Sequence, residues 1–489
     1  MLYSLRRTCH LLLTAPALLM TLSLSAADIG GLPEPVQRSL DSARIPAEAM
    51  SLAIIPLEGQ GIAQFVNAEQ VVNPASTMKL LTTYAALELL GPTHQWRTEL
   101  YTSGQINNGV LEGDLIYRSG GDPNLTLERM WRLMRELRAA GVREVRGDLV
   151  LVPADLRLPV NAQPFPDDGN DPTRPFLVEP DPLLSNLKLL TLRSNAESDG
   201  VRIQLEPALA EVNIDNQLTL LPPVTSCPWP NVTYGVQDRG NSATITLTGA
   251  VHQGCSAQRY LSVLDAATYT GSTLRSLWQD MGGRISGTTR IGRMPPNARS
   301  LAVSDSPDLV HLIREINKFS NNTLARQLFL SIGREQRSAT DADDYQAAVR
   351  SINLWLRDKG IQTDSLVLDN GSGLSRIERM TARDMSRLLE QAWNSPYSAE
   401  FIASMPLAAM DGTMRRRLRN TPVAGQAHIK TGTLRNVRAI AGITRDANGQ
   451  SWAVTAIVNH PSAGGSREAL DLVLTEVHRR TQSTVASGN

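Results

Sequence analysis

The spacing of apolar residues changes along the chain, and each spacing predicts a different kind of element. Residues 50–56 are almost wholly apolar, which predicts a buried strand. An apolar-rich run from Met78 to Leu90 follows Pro74 and Ser76 and is closed by Gly91-Pro92. These boundary residues predict a helix with Ser76 in its first turn.

Residues 96–290 show a shorter period. Alternating apolar and polar residues separated by turns predict strands, at 98–101, 114–117, 148–152, 201–205 and 243–247. A helix is expected over 128–140, since its periodic pattern ends at Gly141. Residues 159–182 are rich in Pro and Asp, which predicts a long loop.

The helical period returns after residue 300. An apolar stripe runs from Ser306 to Ile332, and further helices are predicted over 383–393 and 466–479. Runs at 429–431, 438–443 and 452–458 predict successive strands of an antiparallel sheet. The simplest architecture is therefore α/β (α+β), with one domain in two halves, 28–95 and 296–489, and a strand-rich insertion at 96–295.

The composition narrows the class of protein. The chain has 489 residues with 48 Lys+Arg against 48 Asp+Glu, so its net charge favours neither nucleic acid nor an anionic membrane as partner. Residues 1–27 carry Arg6 and Arg7, a mostly apolar run and Ser25-Ala26-Ala27, which together are typical of a secretory signal peptide. An uncleaved anchor is the rival interpretation, but the apolar run is short for a bilayer span.

The cysteines and histidines bear on disulfides and metals. Removal of the leader leaves Cys227 and Cys255, which in an exported protein either form a disulfide or remain two separate thiols; we slightly favour the disulfide. The seven histidines lack paired metal-ligand spacing, so no metal or other cofactor is expected.

Ser76 and Lys79 form a Ser-x-x-Lys pair that the helix would place on one face, one turn apart. A serine hydroxyl becomes a good nucleophile when a base removes its proton, and a lysine in a dry, positively charged site can be that base. The pattern alone occurs by chance on the order of once in a chain of this length. Without further clusters, a helix-start serine and a solvated lysine would explain it.

Two more clusters complete the chemistry. Ser320 can relay a proton to a leaving amine, and Asn322 can hydrogen-bond Lys79 and a substrate amide, although Ser and Asn are also common at helix ends. Lys430 on a short strand offers a positive charge that can lower the pKa of Lys79 and hold a carboxylate. Next to it, Thr431 and Thr433 can donate to a carboxylate, and Gly432 permits close approach.

The chain resembles the low-molecular-mass class C penicillin-binding proteins, serine D-alanyl-D-alanine carboxypeptidases and endopeptidases. The resemblance covers nearly the whole chain after the leader. Beyond the three motifs it includes the stretches 119–126, 369–376, 410–414 and 430–434. It implies a penicillin-recognising, transpeptidase-like domain, an antiparallel sheet flanked by helices, with two inserted and mainly β domains. We assign one to about 96–118 with 185–295 and the other to 119–184.

The resemblance also implies a function. Ser76 would be acylated by peptidoglycan stem peptides ending in D-Ala-D-Ala, or by cross-linked stems, and by β-lactams as substrate mimics, in the periplasm with at most loose membrane association. The expected catalytic residues are Ser76, Lys79, Ser320, Asn322 and Lys430, and the expected substrate-binding residues are Thr431, Gly432 and Thr433. The alternatives are a β-lactamase or esterase on the same scaffold, and a non-catalytic peptidoglycan-binding protein.

Overall fold

A computed structural model describes residues 31–59, 61–160, 165 and 171–480. The predicted signal peptide lies outside the described residues, as does part of the predicted loop at 159–182.

Helices are spread along the described chain, and five of them follow one another between residues 309 and 404. In the described residues they are α1 (Glu34–Ser42), α2 (Met78–Leu90), α3 (Leu127–Ala139), α4 (Ala266–Asp280), α5 (Leu309–Phe319), α6 (Asn322–Glu335), α7 (Asp344–Asp358), α8 (Ala382–Trp393), α9 (Ser398–Ser404) and α10 (Arg467–His478).

Strands that follow α4 pair with strands that precede it in several of the sheets. In the same part of the chain they are β1 (Met50–Pro56), β2 (Gln64–Val66), β3 (Arg97–Thr102), β4 (Gln105–Asn107), β5 (Val110–Glu112), β6 (Leu115–Arg118), β7 (Glu144–Val145), β8 (Leu149–Val152), β9 (Leu189–Glu197), β10 (Gly200–Glu206), β11 (Val212–Leu221), β12 (Asn231–Asp238), β13 (Ala243–His252), β14 (Ser256–Ser262), β15 (Arg284–Ile285), β16 (Thr289–Ile291), β17 (Arg299–Asp305), β18 (Ala427–Leu434), β19 (Val437–Arg445) and β20 (Ser451–Asn459).

One sheet joins the two ends of the chain. Its order is β18-β19-β20-β1-β2, and every neighbouring pair is antiparallel. Apolar side chains of α2, α5, α6, α7 and α8 form the core on one side, and α1 and α10 cover the other. The predicted α+β class, an antiparallel sheet flanked by helices, is confirmed.

The predicted elements next to the clusters are largely confirmed. Strand β1 and helix α2 have the predicted bounds, but Ser76 lies in a 3-10 turn directly before α2 rather than in its first turn. Gly91 ends α2 at φ 86°. The apolar stripe through 306–332 is not continuous, because Ser320 adopts φ 58° and ends α5. Asn321 then caps α6 by accepting the Leu324 N–H at 3.0 Å. The second polar cluster therefore lies at a junction between two helices rather than at the end of one stripe.

The segment between β2 and α5 forms further sheets. One has the order β16-β8-β6-β3-β17, with β6 and β8 parallel, and another has the order β15-β7-β5-β4. Two three-stranded sheets, β10-β9-β14 and β11-β13-β12, share a separate apolar core. In the first of the sheets in this segment, 115–118 pairs with 149–152 and 299–305 pairs with 97–102. The domain boundaries themselves stay a prediction.

The two cysteines of the insertion are joined. Cys227 and Cys255 form a disulfide with a Cα–Cα distance of 5.7 Å, which settles the choice left open by the sequence. In the part of the chain that the structure describes, no helix has the length and apolar character of a membrane span.

Candidate active site

The turn that carries Ser76 is held in an unusual backbone conformation. Ser76 lies in a single 3-10 turn, Ala75–Thr77, that leads directly into α2. Ala75 has φ 47°, a region that disfavours side chains with a Cβ, and its N–H donates to Asn73 Oδ1 at 2.9 Å. Asn459 at the end of β20 fixes Asn73 in turn, accepting its N–H and donating to its carbonyl, each at 3.0 Å. Such strain persists where surrounding contacts impose it.

The Lys79 amine contacts three other residues of the site. Its Nζ lies 3.1 Å from Ser76 Oγ and 2.7 Å from Asn322 Oδ1, and it also donates to the carbonyl oxygen of Ser372. The residue has no exposed surface. A neutral amine with two N–H donors and one lone pair fits these three partners, because Asn322 and Ser372 accept and the Ser76 hydroxyl can donate.

Burial also sets the charge of Lys79. Desolvation lowers its pKa from 10.5 to about 7, the Glu378 carboxylate opposes that change, and the Arg326 guanidinium adds to it. At neutral pH a large fraction of Lys79 is therefore a free amine. The sequence indicated Lys430 as a neighbouring positive charge, and the two lysines do disfavour each other's charge; Arg326, one helical turn beyond Asn322, is a further cation that lowers the pKa of Lys79.

Lys430, on β18, is hydrogen-bonded to Ser320 of the second polar cluster. Its Nζ donates to Ser320 Oγ at 2.7 Å and to the Thr431 carbonyl at 2.8 Å. Burial and the charge of Lys79 lower the pKa of Lys430 well below its ordinary value. The two amines therefore disfavour each other's protonation, and a carboxylate beside Lys430 would favour its ammonium form.

The remainder of the strand lines the Ser76 turn. A Cβ on Gly432 would lie 2.9 Å from the Pro74 carbonyl and 3.1 Å from Ala75 Cβ, so a glycine is needed for β18 to pass this close. Thr431 Oγ1 donates to Thr413 Oγ1 at 2.9 Å, and Thr433 is exposed to solvent. The close approach that the sequence suggested at Gly432 is thus made to the turn that carries Ser76.

The structure brings Ser76, Lys79 and Asn322 together by direct contact, and it joins Lys430 to Ser320 alongside them. No sequence signal pointed to Asn459, Arg326 or Glu378, which act on the site from distant parts of the chain. The turn at 371–373 lies outside the three motifs, yet the Ser372 carbonyl accepts a hydrogen bond from Lys79. In the described ranges, no group of three or more His, Cys, Asp and Glu side chains could hold a metal ion.

Comparison with known proteins gives a consistent result. The profile of the D-Ala-D-Ala carboxypeptidase 3 (S13) family matches residues 34–477. A D-alanyl-D-alanine carboxypeptidase from an Actinomadura species is 28% identical over 486 residues, covering 94% of this chain and 88% of that protein.

Solved structures show the same fold. The crystal structure of penicillin-binding protein 4 from Haemophilus influenzae superimposes with a TM-score of 0.74 at 23% identity, over 91% of this chain and 99% of that one. The same protein complexed with a β-lactam superimposes with a TM-score of 0.67 at 23% identity, over 87% and 96% of the two chains. At this identity the likeness shows the fold.

Proposed function

The chain belongs to the D-Ala-D-Ala carboxypeptidase 3 (S13) family, and from that premise we propose that it is a serine DD-peptidase of peptidoglycan that works through an acyl-enzyme on Ser76. The observation that carries this proposal is the buried Lys79 amine. It lies between the Ser76 hydroxyl and two hydrogen-bond acceptors, and its pKa is about 7. A base with a pKa near the working pH is the most effective one for this task.

Acylation begins with the proton of Ser76. As its Oγ attacks the carbonyl carbon of the penultimate D-Ala, the proton passes to Lys79 Nζ and a new C–O bond forms. The developing oxyanion is bound by the backbone N–H groups of Ser76 and Thr433, the kind of donor pair worth several kcal/mol in such reactions. Asn322 keeps the amine aligned through its 2.7 Å hydrogen bond.

The leaving group departs on the opposite side of the site. The C–N bond to the terminal D-Ala breaks, and its nitrogen takes the proton that Lys79 had received, passed on through the hydroxyl of Ser320, which is hydrogen-bonded to Lys430. Lys430, Thr431 and Thr433 hold the terminal carboxylate, which also keeps Lys430 charged. Water then attacks the carbonyl carbon of the Ser76 ester and gives a proton to the neutral Lys79 amine. The C–O bond to Ser76 breaks, Lys79 returns the proton to Ser76 Oγ, and the peptide is released one residue shorter.

The wider setting follows from the same chemistry. A cross-linked stem presents a D-Ala carbonyl joined to diaminopimelate, so the same site would cleave cross-links, and a β-lactam would acylate Ser76 as a substrate mimic. Residues 1–27 would direct export to the periplasm. The disulfide between Cys227 and Cys255 supports an oxidising compartment of this kind.

The test is release of D-Ala from an N-acylated peptide ending in Lys-D-Ala-D-Ala. We expect the purified protein to hydrolyse this peptide and not the matched peptide ending in L-Ala. The rate of D-Ala release should fall on the order of 10³-fold or more in Ser76→Ala. Ser42→Ala, a serine at the end of α1, is the matched control and should keep full activity.

Other outcomes would favour the alternatives. Rapid turnover of penicillin without peptide hydrolysis would identify a β-lactamase. A folded protein that reacts with neither peptide nor penicillin would support a non-catalytic peptidoglycan-binding protein. Equal D-Ala release by wild type and Ser76→Ala would exclude Ser76 as the nucleophile.

A further inference from the structure

A turn outside the three motifs is built into the site. Besides the Ser372 carbonyl that accepts from Lys79, the Gly371 carbonyl accepts from Thr82 Oγ1 at 2.6 Å, one turn further along α2. A Cβ on Gly373 would overlap the carbonyl oxygen of Ala75. Residues 369–373, which we call the lysine turn, therefore touch both the base and the backbone next to the nucleophile.

One buried carboxylate holds the lysine turn. Glu378 has no exposed surface, and its Oε1 accepts the N–H groups of Gly371 at 2.8 Å, Asn370 at 3.1 Å and Asp369 at 3.4 Å. Its Oε2 has no hydrogen-bond partner in the described part of the chain. The carboxylate thus organises the backbone whose carbonyl binds Lys79, without touching Lys79 itself.

The charges around Lys79 come from several elements. Glu378 favours the ammonium form, Arg326 on α6 disfavours it, and Lys430 on β18 is a second amine coupled to it. Arg326 is paired with Glu179.

Two further groups face Glu378 itself. They are Asp369 in the lysine turn and Tyr345 on α7. Burial raises the pKa of Glu378, whereas the three backbone N–H donors favour its ionised form.

We propose that Glu378 is a positioning residue for the Lys79 base: its carboxylate fixes the lysine turn that binds the Lys79 amine, and its negative charge opposes Arg326 and keeps that amine basic. The inference rests on the proposed role of Lys79 as the proton acceptor. Glu378 does not meet the substrate. Its effect is on the orientation of the amine and on how strongly the amine takes the proton of Ser76.

The test is the pH dependence of acylation by a fluorescent penicillin in Glu378→Gln. A glutamine can still accept the backbone N–H bonds, but it removes the negative charge. The Lys79 amine should then stay unprotonated to lower pH, so we expect the acid limb of the rate profile to move down by roughly one pH unit. A weaker base should also lower the plateau by roughly 3- to 10-fold.

Matched variants separate this role from a structural one. Glu99→Gln removes another buried carboxylate, on β3, and should leave the acid limb in place. Arg326→Gln removes the opposing charge and should move the limb to higher pH, which keeps the proposal testable if Glu378→Gln fails to fold.

A folded Glu378→Gln whose acid limb matches wild type would overturn the proposal. If Glu378→Gln does not fold, an acid limb in Arg326→Gln at the same pH as in wild type would also overturn it. Because wild-type acylation and D-Ala release do not depend on these variants, such a failure would leave the proposed function intact.

Discussion

At the scale of single residues, the account depends on the amine of Lys79. Complete burial costs a charged lysine its hydration, and the nearby Glu378 carboxylate offsets part of that loss. The pKa of about 7 follows from this balance and makes the residue a base at neutral pH. Two of its three partners, Asn322 and the Ser372 carbonyl, accept its N–H groups. Its lone pair is therefore left to accept the proton of the third, Ser76.

Acylation should therefore depend on pH through Lys79. Since the free amine is the active form and its pKa is about 7, the acylation rate of the wild type should rise with pH through about 7 and level off above it. Lys79→Ala should reduce acylation by about 10²- to 10⁴-fold at every pH, as loss of a positioned base does.

Rapid-mixing kinetics with a fluorescent penicillin measures both effects. Lys359→Ala removes a lysine that is paired with Glu88 and should change neither rate nor profile. Circular dichroism would verify that both variants fold. Normal acylation in Lys79→Ala would remove Lys79 as the base.

Sequence reasoning reached those residues whose chemistry appears in a short motif. Ser76 and Lys79 are three residues apart, so the local backbone, a 3-10 turn that leads into α2, brings them together. Asn459, Arg326 and Glu378 were not found, because each acts across a large sequence separation and none stands in a recognisable pattern. Arg326 is an instructive case, since the sequence pointed to Lys430 as the neighbouring positive charge and carried no signal for a second one at Arg326.

At the scale of elements, the site is a junction where three backbone segments pass close together. Gly373 and Gly432 both face the turn that carries Ser76, and at both positions a Cβ would press on that turn. Ala75 is held at φ 47° between them. The absence of a side chain at Gly373 and Gly432 lets the lysine turn and β18 pack against the turn that carries Ser76.

Gly373→Ala tests this packing. Gly373 has φ 76°, and an added Cβ would overlap the Ala75 carbonyl, so we expect acylation to fall by more than about 10-fold as the Ser76 turn shifts. The strained backbone alone should cost about 1–2 kcal/mol of unfolding free energy.

Gly360→Ala is the matched control. Gly360 has nearly the same φ, 73°, but within the described part of the chain nothing lies within 4 Å of the place where a Cβ would stand. The Gly360→Ala variant should therefore lose only the roughly 1–2 kcal/mol of unfolding free energy that the strained backbone costs, and it should keep its acylation rate. Equal acylation in the two variants would show that the close approach at Gly373 does not matter for the reaction.

Local signals predicted some elements well and others poorly. Strand β1 and helix α2 were predicted with the observed bounds because apolar runs there end at Pro and Gly. The break at Ser320 was missed, since the apolar stripe continues across it and the left-handed φ of a serine has no sequence signature. Helices α4 and α7 were also missed, and α4 lies within a region where alternating strands dominate the pattern.

At the scale of the whole molecule, distant halves of the chain build one sheet and one site. Strand β1 pairs with β20, and Lys79 on α2 meets Asn322 on α6, across 243 residues of sequence. The long interval is occupied by the additional sheets and the disulfide. The sequence predicted that the halves must meet, but strand pairing in the interval depends on long-range contacts that a linear pattern does not encode.

The most direct measurement is the intact mass of the protein after reaction with penicillin, followed by peptide mapping. We predict one adduct per chain with the full mass of the penicillin, located on the peptide that contains Ser76 and absent in Ser76→Ala. An adduct on another residue, or no adduct on the folded protein, would contradict the claim that these clusters form a serine acyl-transfer site.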